Sequence, residues 1–148
     1  MEGTTIRADL TDAKHIPSNT YDCAILTFTL QFIFDVPAAL NTISRILRPG
    51  GVLLVIVPGI SQIARYDMDT WGEFWRFTSL SARRLFEQVF HAEDITITTY
   101  GNVLSALASL HGLHSTELTK GELDHWDRDY ELVIGIRAVK RLDGRIGA

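Results

Sequence analysis

Six consecutive apolar residues, Val52 to Val57, carry no polar alternation, which predicts a strand covered on both faces, the condition of a parallel sheet inside a helix sandwich. Ahead of them Val36, Leu40, Ile43 and Leu47 recur along one helical face. Asp35 is placed to cap that helix, Pro37 falls in its first turn, and Pro49-Gly50-Gly51 stops it. Further upstream, Thr4 to Leu10 reads as a short extended piece. The turn-rich Ile16 to Asp22 then leads into a second buried strand, Cys23 to Phe28. Strand, helix, strand follows, and because crossovers are right-handed the two strands are expected to be parallel neighbours.

Beyond the Pro58-Gly59 break the period is lost. Residues 60–78 hold Tyr66, Trp71, Phe74, Trp75 and Phe77 and read as a lid or insertion. Thr78 or Ser79 can cap the next helix, with Ala82, Leu85, Phe86, Val89 and Phe90 as its apolar stripe, and Ile95, Ile97 and Thr99 alternate as a strand. A helix from Val103 to His111 is stopped by Gly112. A polar stretch runs to Arg128, and Tyr130 to Val139 closes the chain as a strand.

Composition narrows the class. With 148 residues, 46% apolar and 22% charged, the chain suits one domain with a real core. The net charge is −4 and no basic run exceeds a pair such as Arg83-Arg84, so a nucleic-acid partner is not expected. The apolar runs are far shorter than the roughly 20 residues of a membrane span, and the polar start resembles no signal peptide. Cys23 cannot form an internal disulfide and reads as a small buried hydrophobe in a reducing compartment, so a cytoplasmic location is expected.

Candidate chemistry is sparse. His111 and His114 with Glu117 have nearly helical spacing, but Gly112 between them spoils a common face, so no metal is expected. Asp124, Asp127 and Asp129 read as a solvated loop. The aromatic segment offers rings with a few polar groups, which suits a pocket, and Arg76 can meet an anionic substrate or Glu73 one turn back.

Ala8-Asp9-Leu10, then Ile16-Pro17 and Tyr21-Asp22, an apolar strand, Leu30-Gln31-Phe32, and Arg45-x-Leu47-x-Pro49-Gly50-Gly51-Val52-Leu53 together resemble the second half of a class I S-adenosylmethionine-dependent methyltransferase of the type 11 group. The resemblance covers roughly residues 7 to 140. It implies an α/β fold, an incomplete Rossmann-like sheet, mostly parallel with an antiparallel C-terminal strand and helices on both faces. The glycine-rich turn that holds the donor's methionine end in that family has no counterpart before Asp9, so residues 1–148 are expected to form a single truncated domain with 60–78 as its lid.

The same resemblance implies S-adenosylmethionine as cofactor. Asp9 matches the carboxylate that accepts from the adenine amino group, and Leu10 matches the backbone donor beside it. Thr27, Phe28 and Thr29 match the strand end whose carbonyls face the donor's amino group. Gln31, Tyr66, Trp71, Trp75 and Arg76 are the acceptor-binding candidates, with a small molecule or a glycan as acceptor. Displacement at an already activated methyl needs alignment more than acid–base help, so a base is optional; His114, Tyr66 and Asp69 are the candidates by position. With no partner strand on its outer side, the Cys23 to Phe28 strand leaves an apolar edge. That edge implies a homo-oligomer or a partner chain, and it frames an alternative reading, a non-catalytic module that binds through the open edge.

Overall fold

The computed structural model describes residues 5–142. Four strands, β1 (Tyr21–Thr27), β2 (Leu47–Pro58), β3 (Ile95–Tyr100) and β4 (Val133–Val139), form an open α/β sheet in the order β1-β2-β4-β3. β1 and β2 are parallel, joined by the crossover helix α1 (Val36–Ile46), and β4 runs antiparallel to both β2 and β3. Three strands therefore share one direction and the last strand opposes them. The C-terminal ends of β1, β2 and β3 lie on one side of the sheet.

The local signals explain the element boundaries. Asp35 caps α1 by accepting from the Ala38 N–H at 3.0 Å. Thr78, not Ser79, caps α3 (Ser79–Phe86), in a capping box with Ser81. Gly112 ends α4 (Val103–His111) at φ +73°, the left-handed conformation a helix stop requires. Two short helices were not anticipated, α2 (Arg65–Thr70) and α5 (Lys120–Asp124), although Thr119 and Glu122 spell out the capping box of α5 in the sequence.

Pro49-Gly50-Gly51 acts differently from expectation. α1 already ends at Ile46, and the three residues lie inside the first part of β2, where the register with β1 shifts between Tyr21 and Cys23. Gly50 has φ +81°, and its N–H and the Gly51 carbonyl bond the Lys140 main chain. The motif bends a strand into place; Pro49 disfavours helix at Arg48 before it.

The core sits on one face. Ala24 and Leu26 of β1, Leu53, Val55 and Val57 of β2, and Ile134, Ile136 and Ala138 of β4 pack under Leu40 and Ile43 of α1 and Ala82 and Phe86 of α3. Val89 and Phe90 join them from the turn after α3.

The opposite face corrects the expectation of strands covered on both sides. Ile25 is 68% exposed, and Leu54, Ile56 and Tyr100 are exposed with it. The physical reason is placement: α1 and α3 pack against each other and share one side of the sheet. Cys23 faces the same open side and is exposed, not buried. Residues 5–10 form no strand; they have no ladder partner among the described residues, and Thr4 lies outside the described residues. Among the described residues no helix is long and apolar enough to cross a membrane.

Candidate active site

β1 ends at Thr27, and the chain turns at once. Phe28 takes φ +46°, a conformation that costs a non-glycine residue energy, while its N–H still bonds the Ile56 carbonyl. A one-turn 3₁₀ helix, Leu30–Phe32, follows and buries Gln31. This turn lies where ligands of open α/β sheets bind, beyond the carboxyl ends of the strands.

Residues 59–77 form an arm that leaves the end of β2 and returns to it. Phe77 N–H bonds the Pro58 carbonyl, closing the base. Glu73 and Arg76 hold the arm from inside. The Glu73 side chain is 6% exposed; one oxygen meets Arg76 Nη2 at 3.1 Å and the other accepts from the Ala64 N–H at 2.9 Å. The Arg76 guanidinium also donates to the carbonyls of Ser61, Gln62 and Trp75. It thus pairs with Glu73, one of the two roles open to it in the sequence, and it also lines the cleft beside the arm.

The arm docks on the turn after β1. Phe74 N–H bonds the Gln31 carbonyl at 2.8 Å, and Trp75 Nε1 donates to the Ile33 carbonyl at 3.0 Å. Phe34 meets Phe74 edge-on at 5.4 Å and stacks on Trp75 at 5.8 Å. Beside this trio lies a cleft of about 650 Å³, walled by Phe34 and Trp75 on one side and by Ser81, Arg84, Leu85 and Gln88 on the other. Phe34 was not among the sequence candidates. It precedes the helix cap Asp35 and reads as a staple residue, yet it is 70% exposed.

The remaining candidates are spread out. Tyr66 and Trp71 are exposed at the outer part of the arm, and Asp69 pairs with Arg65 on α2. His114 bonds Thr116 through Nδ1, and its N–H donates to Glu117, so it serves as the cap of a short turn after α4. No hydrogen bond or ion pair joins Tyr66, Asp69 and His114 to one another among the described residues. Among those residues no three His, Cys, Asp or Glu side chains cluster closely enough for a metal ion. The sequence also hid Asn102, buried, whose side chain caps α4 and donates to the carbonyls of Glu122 and His125, tying down the polar stretch before β4.

Asp9 opens a turn of its own. Its Oδ1 accepts from the N–H and hydroxyl of Thr11, both at 2.8 Å, and these bonds hold its carboxyl below the ordinary Asp range. Oδ2 takes no donor among the described residues, and the Leu10 N–H gives none away. At the strand end the carbonyls of Thr27 and Phe28 each accept a side-chain bond, from the Thr29 hydroxyl and from Gln31 Nε2.

Residues 4–96 match the methyltransferase-domain family. The chain belongs to the class I S-adenosylmethionine-dependent methyltransferases. The ubiquinone/menaquinone biosynthesis C-methyltransferase UbiE of Escherichia coli is 29% identical over 134 residues, 88% of this chain and 49% of that protein. The chain thus spans about half the length of the curated relatives it matches. Among solved structures, a possible histamine N-methyltransferase from Thermotoga maritima superposes with a TM-score of 0.59 at 17% identity, over 92% of this chain and 63% of that one. Phosphoethanolamine N-methyltransferase 2 of Haemonchus contortus, solved with phosphomonomethylethanolamine and S-adenosylhomocysteine, gives 0.57 at 14% identity, over 90% and 36%. At such identities the likeness is one of fold.

Proposed function

We propose that the working protein transfers the methyl group of S-adenosylmethionine to a small-molecule or glycan acceptor held under the aromatic arm of residues 60–78. The observation that carries this reading is the arm docked on the left-handed turn after β1, in a chain of the methyltransferase family. The donor supplies a methyl already activated on a sulfonium. The protein's part is to orient and to exclude water. Asp9 Oδ2 and the Leu10 N–H hold the adenine end, the carbonyls of residues 27–29 hold the amino group, and Phe34, Phe74 and Trp75 wall the acceptor side, with Tyr66 and Trp71 at its outer rim. Arg76 keeps the arm in shape. Tyr66, Asp69 and His114 remain the residues to substitute where an acceptor needs a base.

Calorimetry with S-adenosylhomocysteine tests the cofactor half. Binding is expected, and Asp9→Ala is expected to weaken it about ten-fold, the value of one charge-assisted hydrogen bond. Because its bonds from Thr11 hold Asp9 below the ordinary carboxylate range, affinity should stay level as pH falls to that range and drop only beneath it. Absence of heat with the wild-type chain would count against the reading.

The open sheet face favours a second reading, a non-catalytic module. Among the described residues β1 pairs only with β2, and its other edge takes no strand there, beside exposed Ile25, Leu54 and Ile56. An unpaired apolar edge seeks another chain. Light scattering on the purified chain is expected to show self-association. A clean monomer at high concentration would contradict an edge that recruits a second copy.

A further inference from the structure

We propose that Gln31 reads the methyl acceptor, its side-chain oxygen taking a hydrogen bond from an O–H or N–H on the acceptor's nucleophilic atom. The proposal rests on the methyl-transfer reading and deepens it by naming the acceptor class: a hydroxyl or an amine, in preference to a carbon nucleophile.

Gln31 is 4% exposed and lies on the turn immediately beyond β1. Its Nε2 donates to the Phe28 carbonyl at 3.0 Å. A carbonyl only accepts, so that bond fixes which end of the amide is nitrogen. Oε1 points the other way, buried, with no donor among the described residues; it is the one buried side-chain nitrogen or oxygen there with no partner. Folded proteins pair nearly all such groups, so an acceptor with no donor in the chain calls for one from outside it. A second observation falls at the same place. The carbonyl that anchors Nε2 belongs to Phe28, held at φ +46°. Strain and an unmet acceptor thus share one turn.

The arm docks on the main chain of this turn. Phe74 N–H sits on the Gln31 carbonyl and Trp75 on that of Ile33, so a ligand reaches Oε1 as the Phe74 segment lifts. A neutral amide accepts a hydrogen bond without taking the proton. Holding the X–H of an acceptor, it turns the lone pair on X toward the methyl. As the new C–X bond forms, the electrons of the C–S bond pass to sulfur, and the proton on X leaves to solvent. A carbon nucleophile carries no such hydrogen for Gln31 to hold.

Phenol and toluene differ by an O–H in place of a methyl and serve as probes on the full chain. In NMR titrations that follow the Gln31 side-chain amide and the Phe74 N–H, phenol is expected to move both signals and to bind about ten-fold more tightly than toluene. Gln31→Met is expected to erase that preference, and Gln31→Glu, which keeps an acceptor oxygen, to retain it. Equal affinities, a preference surviving in Gln31→Met, no phenol binding up to its solubility, or a water that stays on Oε1 throughout the titration would each overturn the proposal. If Gln31→Met does not fold, the wild-type comparison and Gln31→Glu decide it. Failure of S-adenosylhomocysteine binding with the phenol preference intact overturns the methyl-transfer reading instead, so the two failures are distinguishable.

Discussion

Gly59→Ala is expected to cost about 3 kcal/mol or more and to leave little soluble protein, because an added Cβ would overlap the Glu131 carbonyl oxygen. No side-chain rotation relieves this contact, since the obstacle is main chain. That carbonyl is also fixed on several sides. It accepts from the Ile60 N–H at 3.0 Å, the Gly59 N–H bonds the Leu132 carbonyl at 3.0 Å, and the Glu131 side chain accepts from the Ser79 N–H at 2.7 Å. Moving it would pull on the start of α3 and on the Pro58–Val133 end of the β2–β4 ladder together. Denaturant midpoints read the loss. Gly121→Ala is the control: nothing lies within 4 Å of a Cβ there, and within the helical α5 alanine is favoured, so that variant should be neutral or slightly stabilised.

The contrast between Gly59 and the rest of the chain shows how far local chemistry reaches. Pro58-Gly59 reads in the sequence as a break after a strand, and a break is there, but its glycine is required by Glu131, which lies far away in sequence. Helix caps at Asp35 and Thr78, the Gly112 stop and the parallel β1–β2 pair were legible because each depends on residues a few positions apart or on a short crossover. The open sheet face was not. Apolar runs at 23–28 and 52–57 look the same whether one face or two are covered, and coverage depends on which side both helices take. The place of residues 27–29 just beyond a strand and the aromatic content of residues 60–78 were readable from position and composition. The docking of Phe74 and Trp75 on residues 31–34 and the unmet oxygen of Gln31 are tertiary facts with no local signature. Asp9 belongs between these cases: its turn is local, and the adenine contact proposed for it comes from the family resemblance.

Glu73→Ala is expected to loosen the arm and to cost about 2 kcal/mol, less than the roughly 3–5 kcal/mol for removing one member of a fully buried pair, since Arg76 keeps the carbonyls of Ser61, Gln62 and Trp75 and is 28% exposed. The loss has two parts. Arg76 gives up its counter-charge in a half-dry setting, and the Ala64 N–H, which opens α2, loses the Glu73 oxygen that satisfies it. Glu73→Gln separates them, since an amide oxygen can still accept from Ala64 while the charge is gone; it should recover part of the stability. Hydrogen exchange supplies the decisive readout. The Phe74 N–H and the Trp75 indole N–H are protected only while the arm lies on the turn after β1, so both should exchange faster in Glu73→Ala, whereas amides at the centre of β2 should lose protection only as far as global stability falls. Uniform loss across the chain would mean that the arm opens only by global unfolding. Selective loss at residues 74 and 75 would make Glu73 the latch of a segment that opens on its own, which is the motion the buried oxygen of Gln31 needs in order to meet a ligand.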